Sequence, residues 1–352
     1  MKKRYLVLAD GTAFEGEALG APCESIGELV FTTGMGGYLE TLTDPSYYGQ
    51  IVMQTFPLIG NYGVIEQDFE GKSAVRGYVA RELCQFPSNF RCQGMLEDFL
   101  LRQGIPALVG IDTRAITRII RERGVMNAIL CDAPPKDLTA VQSYAITGAV
   151  SAVTRDKREF PAENPRFRVA LLDYGAKANI IRELRRRGCQ VISLRADTGA
   201  EEILALGADG VMLSNGPGDP AENLGCIREI QKLLGRIPIF GICLGHQLLA
   251  LAAGGRTQKL KYGHRGVNQP VKDLLSGRTY MSSQNHGYAV DAESLPGQAR
   301  LRFVNANDQT CEGIDYPGLR AFSVQFHPEA CAGPQDTAFL FDRFIQLMGG
   351  DA

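Results

Sequence analysis

The apolar positions of this chain follow two different rhythms. From residue 167 onward, short apolar runs alternate with segments whose apolar residues recur at helical spacing. Residues 168–173, 190–194 and 210–214 read as strands, and 178–187, 201–206 and 226–234 as helices. Strands that are apolar throughout and separated by helices predict a mostly parallel open sheet covered on both faces. Ligands of such sheets bind at the carboxyl ends of the strands.

The earlier rhythm is less regular. Residues 4–9 and 12–19 read as strands joined at Asp10-Gly11, a strong hairpin signal. Residues 28–33, 50–55 and 125–131 read as further strands. Residues 112–124 form an amphipathic helix, with Asp112 or Thr113 as its cap and Gly124 as its stop. Its arginines 114, 118, 121 and 123 read most simply as a solvated face. Gly34, Gly36 and Gly37 lie in a segment that reads as a connecting loop, and Asp44-Pro45 marks a turn. Residues 151–166 are charged and carry Pro161 and Pro165, which suggests a linker. The expected organisation is a smaller mixed β/α domain over 1–150, a linker over 151–166 and an α/β domain over 167–352.

One stretch of the second domain carries chemistry. The run Ile237-Pro-Ile-Phe240 reads as a buried strand. It breaks at Gly241-Ile-Cys243-Leu-Gly245, and Leu248, Leu249 and Leu251 continue as a helix until Gly254-Gly255. Strand, tight turn and helix with a cysteine at the turn match a nucleophile elbow with sulfur in place of oxygen. Two glycines allow close backbone approach, and a helix N-terminus favours a thiolate. The amide of Leu244 can face a developing oxyanion. The competing reading is an inert core cysteine.

Other residues tip that balance. Ser214-Asn-Gly-Pro-Gly-Asp-Pro220 follows a strand and can cradle a polar substrate. It lacks the lysine and spacing of a P-loop. Four histidines are present, at 246, 264, 286 and 327. His246 lies one helical turn from Cys243 and reads as a packing residue. His264 receives no role, and His286 lies in what reads as a strand-end loop. The strand-like run 321–327 ends at His327-Pro-Glu329. There the carboxylate can hold the imidazole tautomer while the other ring nitrogen takes the thiol proton. The first domain contains no histidine and offers no catalytic set.

Composition narrows the function. Lys+Arg total 37 against Asp+Glu 39, a net charge of −2, so no basic excess points to nucleic acid or an anionic membrane. Nine cysteines, none in a Cys-x-x-Cys pair, suggest neither a zinc site nor a disulfide framework and fit a reducing cytoplasm. The apolar run after Met1-Lys-Lys-Arg4 is too short for a signal peptide. No stretch reads as membrane-spanning.

Gly241-Ile-Cys243-Leu-Gly-His-Gln247 with His327-Pro-Glu329 resembles the class I, triad-type glutamine amidotransferases, whose domain is a flavodoxin-like α/β fold. Residues 33–46, 110–124 and 171–184 resemble the carbamoyl-phosphate synthase small chain, so the resemblance covers nearly the whole sequence. It implies that Cys243 is the nucleophile, His327 the acid/base and Glu329 its orienting carboxylate. Gly216 and Leu244 would contact the L-glutamine carbonyl and oxyanion. Ser46, Gly218, Gln247, Asn285, Gly287 and Tyr288 would line the glutamine site, with tyrosine at 288 where phenylalanine is expected. It implies no cofactor or metal in this chain. ATP and Mg would sit on a large subunit, paired with this chain as a heterodimer or an oligomer of heterodimers. The competing expectations are an amidotransferase subunit of another synthase, such as those for anthranilate or guanylate, and a regulatory partner that binds glutamine without turnover.

Overall fold

The computed structural model describes residues 2–330 and 332–349; Cys331 lies outside them. The chain forms two compact units, Met1–Ile146 and Thr147–Ala352. Among the described residues no helix is long and apolar enough to cross a membrane.

The first unit is a closed barrel. Its strands run in the spatial order Lys3–Leu8, Ala13–Gly20, Pro106–Val109, Gly77–Val79, Gln50–Gln54, Ser25–Thr32 and Met126–Cys131, the last closing on the first. The hairpin at Asp10-Gly11 forms, with Tyr5 opposite Glu15 and Gly11 at φ 89°. Helix Thr113–Arg123 is capped by the Asp112 side chain, which accepts from the Ala115 amide, and it stops at Gly124. Its Ile116 and Ile120 are buried, and arginines 114, 118, 121 and 123 are exposed. The glycine-rich segment leads into the short helix Tyr38–Thr43. Of its three glycines, Gly37 is the one in the left-handed region, at φ 76°.

The second unit is built on a ten-stranded sheet. Strands Cys189–Arg195, Phe167–Asp173, Gly210–Leu213, Ile239–Ile242 and Ala321–Val324 pair in parallel, in that order. Burial alternates along them. Ala170, Leu172, Val211, Leu213 and Ile239 join one core, which includes Ile203, Ile230 and Leu248 from the helices on that face. Val169, Leu171, Met212, Phe240 and Ile242 join the other, which includes Ile180, Leu184, Phe341 and Phe344. This is the two-sided covering that the apolar runs predict. The remainder of the sheet is antiparallel. It continues from Ala321–Val324 through Cys311–Tyr316, Arg300–Asn305 and Arg256–Asp273 to Thr279–Asp291.

The segment expected as a linker is folded into the second unit. Helix Ala149–Val153 contributes Val150 to the first of those cores, and Arg158–Phe160 pairs antiparallel with Cys189–Arg195 at the sheet's edge. Charge and proline suit an edge strand as well as a connector, which is why pattern alone reads the segment as free.

Backbones pass close together where the elbow meets the sheet. A Cβ on Gly245 would lie 2.3 Å from the Leu213 carbonyl oxygen, whereas one on Gly210 would meet side chains alone, Met348 Sδ at 2.6 Å and Phe344 Cζ at 2.8 Å. Gly245→Ala should therefore cost more than Gly210→Ala, about 3 kcal/mol against about 1 kcal/mol for overpacking that a side chain can relieve. Urea midpoints of the two variants measure this; equal midpoints would contradict the packing account.

Candidate active site

Cys243 lies where strand Ile239–Ile242 gives way to helix Leu244–Ala252, with φ 53° and ψ −104°. A positive φ is unusual for a residue with a side chain, and such strain persists only where the surroundings enforce it. Here the Cys243 amide donates to Val324 O at 2.9 Å, and the Gly245 amide to Ser214 O at 3.0 Å. The elbow is thereby pinned to the strands on both sides. Leu244, buried and first in the helix, carries an amide that no preceding turn can satisfy.

The strands ending at Leu213, Ile242 and Val324 run in parallel, so the loops that follow them share one edge. That edge holds Cys243, the 214–220 loop, His327 and Glu329. The thiol of Cys243, 2% exposed, lies 3.6 Å from Asn285 O. His327 donates its backbone amide to Ser283 O at 2.9 Å, which ties it to strand Thr279–Asp291. Its Nδ1 is 2.7 Å from Glu329 Oε1, and both side chains are fully buried. Its Nε2 is buried without a hydrogen-bond partner among the described residues. Burial alone would raise the Glu329 pKa, but His327 and the Lys177 ammonium hold it below its ordinary value. Glu329 is therefore a carboxylate, and it fixes the His327 ring with Nε2 left over for proton transfer.

Residues 284–288 are not the strand-end loop that the sequence suggests. They lie within the long strand Thr279–Asp291, where Asn285 is opposite Arg265 and His286 opposite His264. Backbone carbonyls of this strand face the elbow. Tyr288 O accepts from Gln247 Nε2 at 2.8 Å, and Gln247 Nε2 also donates to Gln325 Oε1 at 2.9 Å. The Tyr288 ring lies beside the Lys259 ammonium, 5.9 Å from the ring centroid. Gly287 lies between these residues, and a Cβ there would meet Arg265 Nη2 at 3.3 Å. On the opposite loop, a Cβ on Gly216 would come within 2.3 Å of Tyr174 O, and Gly218 adopts φ 87°. Ser46 belongs to the first unit, in the single turn Pro45–Tyr47, where its amide donates to Asp44 Oδ1 at 2.8 Å.

The family profile described as glutamine amidotransferase class-I matches residues 170–347, and that of the carbamoyl-phosphate synthase small chain, CPSase domain, matches residues 6–130. A carbamoyl phosphate synthase small chain from Oceanobacillus iheyensis is 49% identical over 99% of this chain and 96% of its own length. Another, from Clostridium perfringens, is 50% identical over 98% of this chain and 99% of its own. The chain belongs to the carbamoyl phosphate synthase small chain family. Both halves of the match agree with the resemblance read from Cys243, His327 and the first-domain segments.

Two residues at this small-chain site escape a motif reading. Lys177 Nζ is 3.6 Å from Glu329 Oε1, and Asn179 Nδ2 donates to Glu329 O at 3.2 Å. A signal did exist: Lys177 is the residue before helix Ala178–Arg186, where a cation opposes the helix dipole and so asks for another reason.

The other histidines divide by charge. Burial lowers the His246 pKa to about 3, and its Nδ1 meets Ser323 Oγ at 2.8 Å, so it is neutral and part of the packing. Burial likewise keeps His286 well below its usual value, with Nδ1 donating to Tyr288 O at 2.7 Å. His264, His286 and Glu312 bring possible metal-ligating atoms within 4.8 Å of one another. Their bonds describe an ion-pair network instead. His264 Nε2 is 2.8 Å from Asp308 Oδ2 and its Nδ1 3.4 Å from Glu312 Oε1, while Glu312 Oε2 accepts from Gln284 Nε2 at 3.1 Å.

Burial would lower the His264 pKa, yet Asp308 and Glu312 together raise it to about 9. A group whose pKa is higher when folded stabilises fully below its unfolded value and loses that contribution as pH rises through the folded one. The His264 contribution, on the order of 3 kcal/mol, should be complete below about pH 6.5 and gone above about pH 9.5. Asp308, lowered to about 2, belongs to the same pair, and its contribution is lost as pH falls toward 2. Thermal midpoints measured from pH 7 to 10 should fall more steeply for the wild type than for His264→Asn; parallel slopes would contradict the assignment.

Proposed function

We propose that this chain hydrolyses L-glutamine to glutamate and ammonia, and that the ammonia passes to a carbamoyl-phosphate synthase large subunit. The observation that carries the reading is the ionised Glu329 on His327 Nδ1, with the buried Nε2 left without a partner among the described residues, on the sheet edge that also bears Cys243. The Cys243 thiolate attacks the side-chain carbonyl carbon of glutamine. Amides of Gly216 and Leu244 stabilise the oxyanion. His327 Nε2–H protonates the departing nitrogen, the C–N bond breaks, and ammonia leaves behind a γ-glutamyl thioester. His327 then takes a proton from water, the resulting hydroxide attacks the thioester, and glutamate departs as the thiol is restored. Gly218, Gln247, Asn285, Gly287 and Tyr288 hold the substrate in this scheme.

The large subunit supplies what this chain does not. It binds ATP and Mg and joins ammonia to bicarbonate, in a cytoplasmic heterodimer or oligomer of heterodimers serving arginine or pyrimidine synthesis. The first domain docks that partner. Ammonia is mostly protonated in neutral water and then is no nucleophile, so sheltered transfer has a purpose. Glutamate release should accordingly be slow for the chain alone and rise substantially with the large subunit, ATP and bicarbonate. Full-speed release unchanged by the partner would identify a free-standing glutaminase.

Two measurements test the chemistry. A glutamine-like electrophile at neutral pH should label Cys243 far faster than any other cysteine, and Cys243→Ser should abolish glutamine-dependent synthesis while the assembled enzyme still uses added ammonia. Uniform labelling of several thiols would remove Cys243 from the reaction. His327→Asn should cost more than Glu329→Gln, since one moves protons and the other orients, and the double variant should lose less than the product of the two. A slower Glu329 variant would reverse the roles.

A further inference from the structure

The turn after strand Phe167–Asp173 reaches two parts of the proposed machinery. Its Tyr174 amide donates to Ser214 Oγ at 2.9 Å and its Lys177 amide to Asn215 Oδ1 at 3.0 Å, while Asn215 Nδ2 returns a bond to Gly175 O at 3.0 Å. Tyr174 O is also the atom against which Gly216 packs. The turn therefore sets the position of the loop bearing the Gly216 amide. At its other end Lys177 faces Glu329.

The shape of the turn comes from Asp173, which is 0% exposed. Its Oδ1 accepts from the amides of Gly175 at 2.9 Å and Ala176 at 2.7 Å. Its Oδ2 accepts from Arg155 Nε at 2.6 Å, and Arg155 Nη2 donates to Ala176 O at 2.7 Å. One planar guanidinium thus holds a buried carboxylate and a carbonyl at the two ends of the same turn. A lysine ammonium could meet the carboxylate but could not span both in a fixed plane.

We propose that Arg155 is a positioning residue for glutamine hydrolysis: its guanidinium clamps the Asp173–Ala176 turn, and so fixes both the Lys177–Glu329 pair and the Gly216 amide. The inference rests on the glutaminase reading. Arg155 touches neither thiol nor imidazole; it acts through the turn. Its side chain is 29% exposed, and without it the buried Asp173 carboxylate keeps, of these partners, only the Gly175 and Ala176 amides, so its loss should loosen the site and lower the thermal midpoint.

The test compares full-length wild type with Arg155→Met, Arg155→Lys, Lys177→Met and the Arg155→Met/Lys177→Met double variant, measuring glutamate release against glutamine concentration together with thermal midpoints. Arg155→Met should lower kcat about tenfold with less than about a twofold change in KM, the size of a small misplacement of reacting groups. Arg155→Lys should recover part of that loss. The double variant should be little slower than Lys177→Met alone, because both changes act on one arrangement. Wild-type kcat in Arg155→Met, or losses that multiply in the double variant, would overturn the proposal. Should Arg155→Met not fold, Arg155→Lys decides: unchanged kcat overturns the clamp, and reduced kcat at an unchanged midpoint supports it. A wild-type chain that releases no glutamate with or without its partner would instead overturn the glutaminase reading, and the clamp with it.

Discussion

Close approach of backbones at the elbow is the constraint on which the rest depends. Gly245 packs on the Leu213 carbonyl and Gly241 on Gly245 itself, with a Cβ at Gly241 lying 2.7 Å from Gly245 O. Gly216 packs as tightly on Tyr174 O. These contacts leave no room to relax the turn, and Cys243 is held at positive φ between them. The strain is supported by the amides of Cys243 and Gly245, the first bonded to Val324 at the end of one neighbouring strand and the second to Ser214 just beyond the other. A turn fixed in this way presents its thiol and the following amide in one geometry.

Electrostatics then sorts similar side chains into different tasks. His327 and His246 are both buried near the elbow, but His327 faces an ionised carboxylate and His246 a hydroxyl. The first keeps a buried Nε2 without a partner among the described residues, and the second is held neutral by burial. His264 lies between two carboxylates and stays charged, which ties strand Arg256–Asp273 to Asp308 in the turn before strand Cys311–Tyr316 and to Glu312 within that strand. The Lys177 ammonium offsets the cost of burying Glu329, so the pair is tolerated where a lone carboxylate would not be.

Legibility in the sequence followed the length scale of the signal. The parallel strands could be read because each is apolar on both faces, and the elbow because two glycines bracket a cysteine. The antiparallel half of the sheet could not. Arg256–Asp273 and Thr279–Asp291 mix exposed and buried positions without steady alternation, and their register shifts twice, between Lys259 and His264 and between Gly266 and Gln269. Each shift changes which residues face inward, so no single period survives. Barrel strands such as Gly77–Val79 were too short to register. Lys177 and Arg155 were harder to read for another reason: the fold alone brings them to their partners, Glu329 and Asp173, and only Lys177 leaves a trace, as a cation before a helix.

The order of the site's parts along the chain has a consequence for synthesis. Asp173, Gly216, Cys243, Asn285 and His327 leave the ribosome in that order, and His327-Pro-Glu329 follows the elbow by more than eighty residues, 243 to 327. Strand Ala321–Val324 supplies the carbonyl that pins the Cys243 amide, and it is the last strand of the sheet to be made. A nascent chain holding only the elbow lacks both the pin and the imidazole. The backbone geometry of the elbow is therefore completed only when this strand enters the middle of a sheet already begun, between Ile239–Ile242 and Cys311–Tyr316.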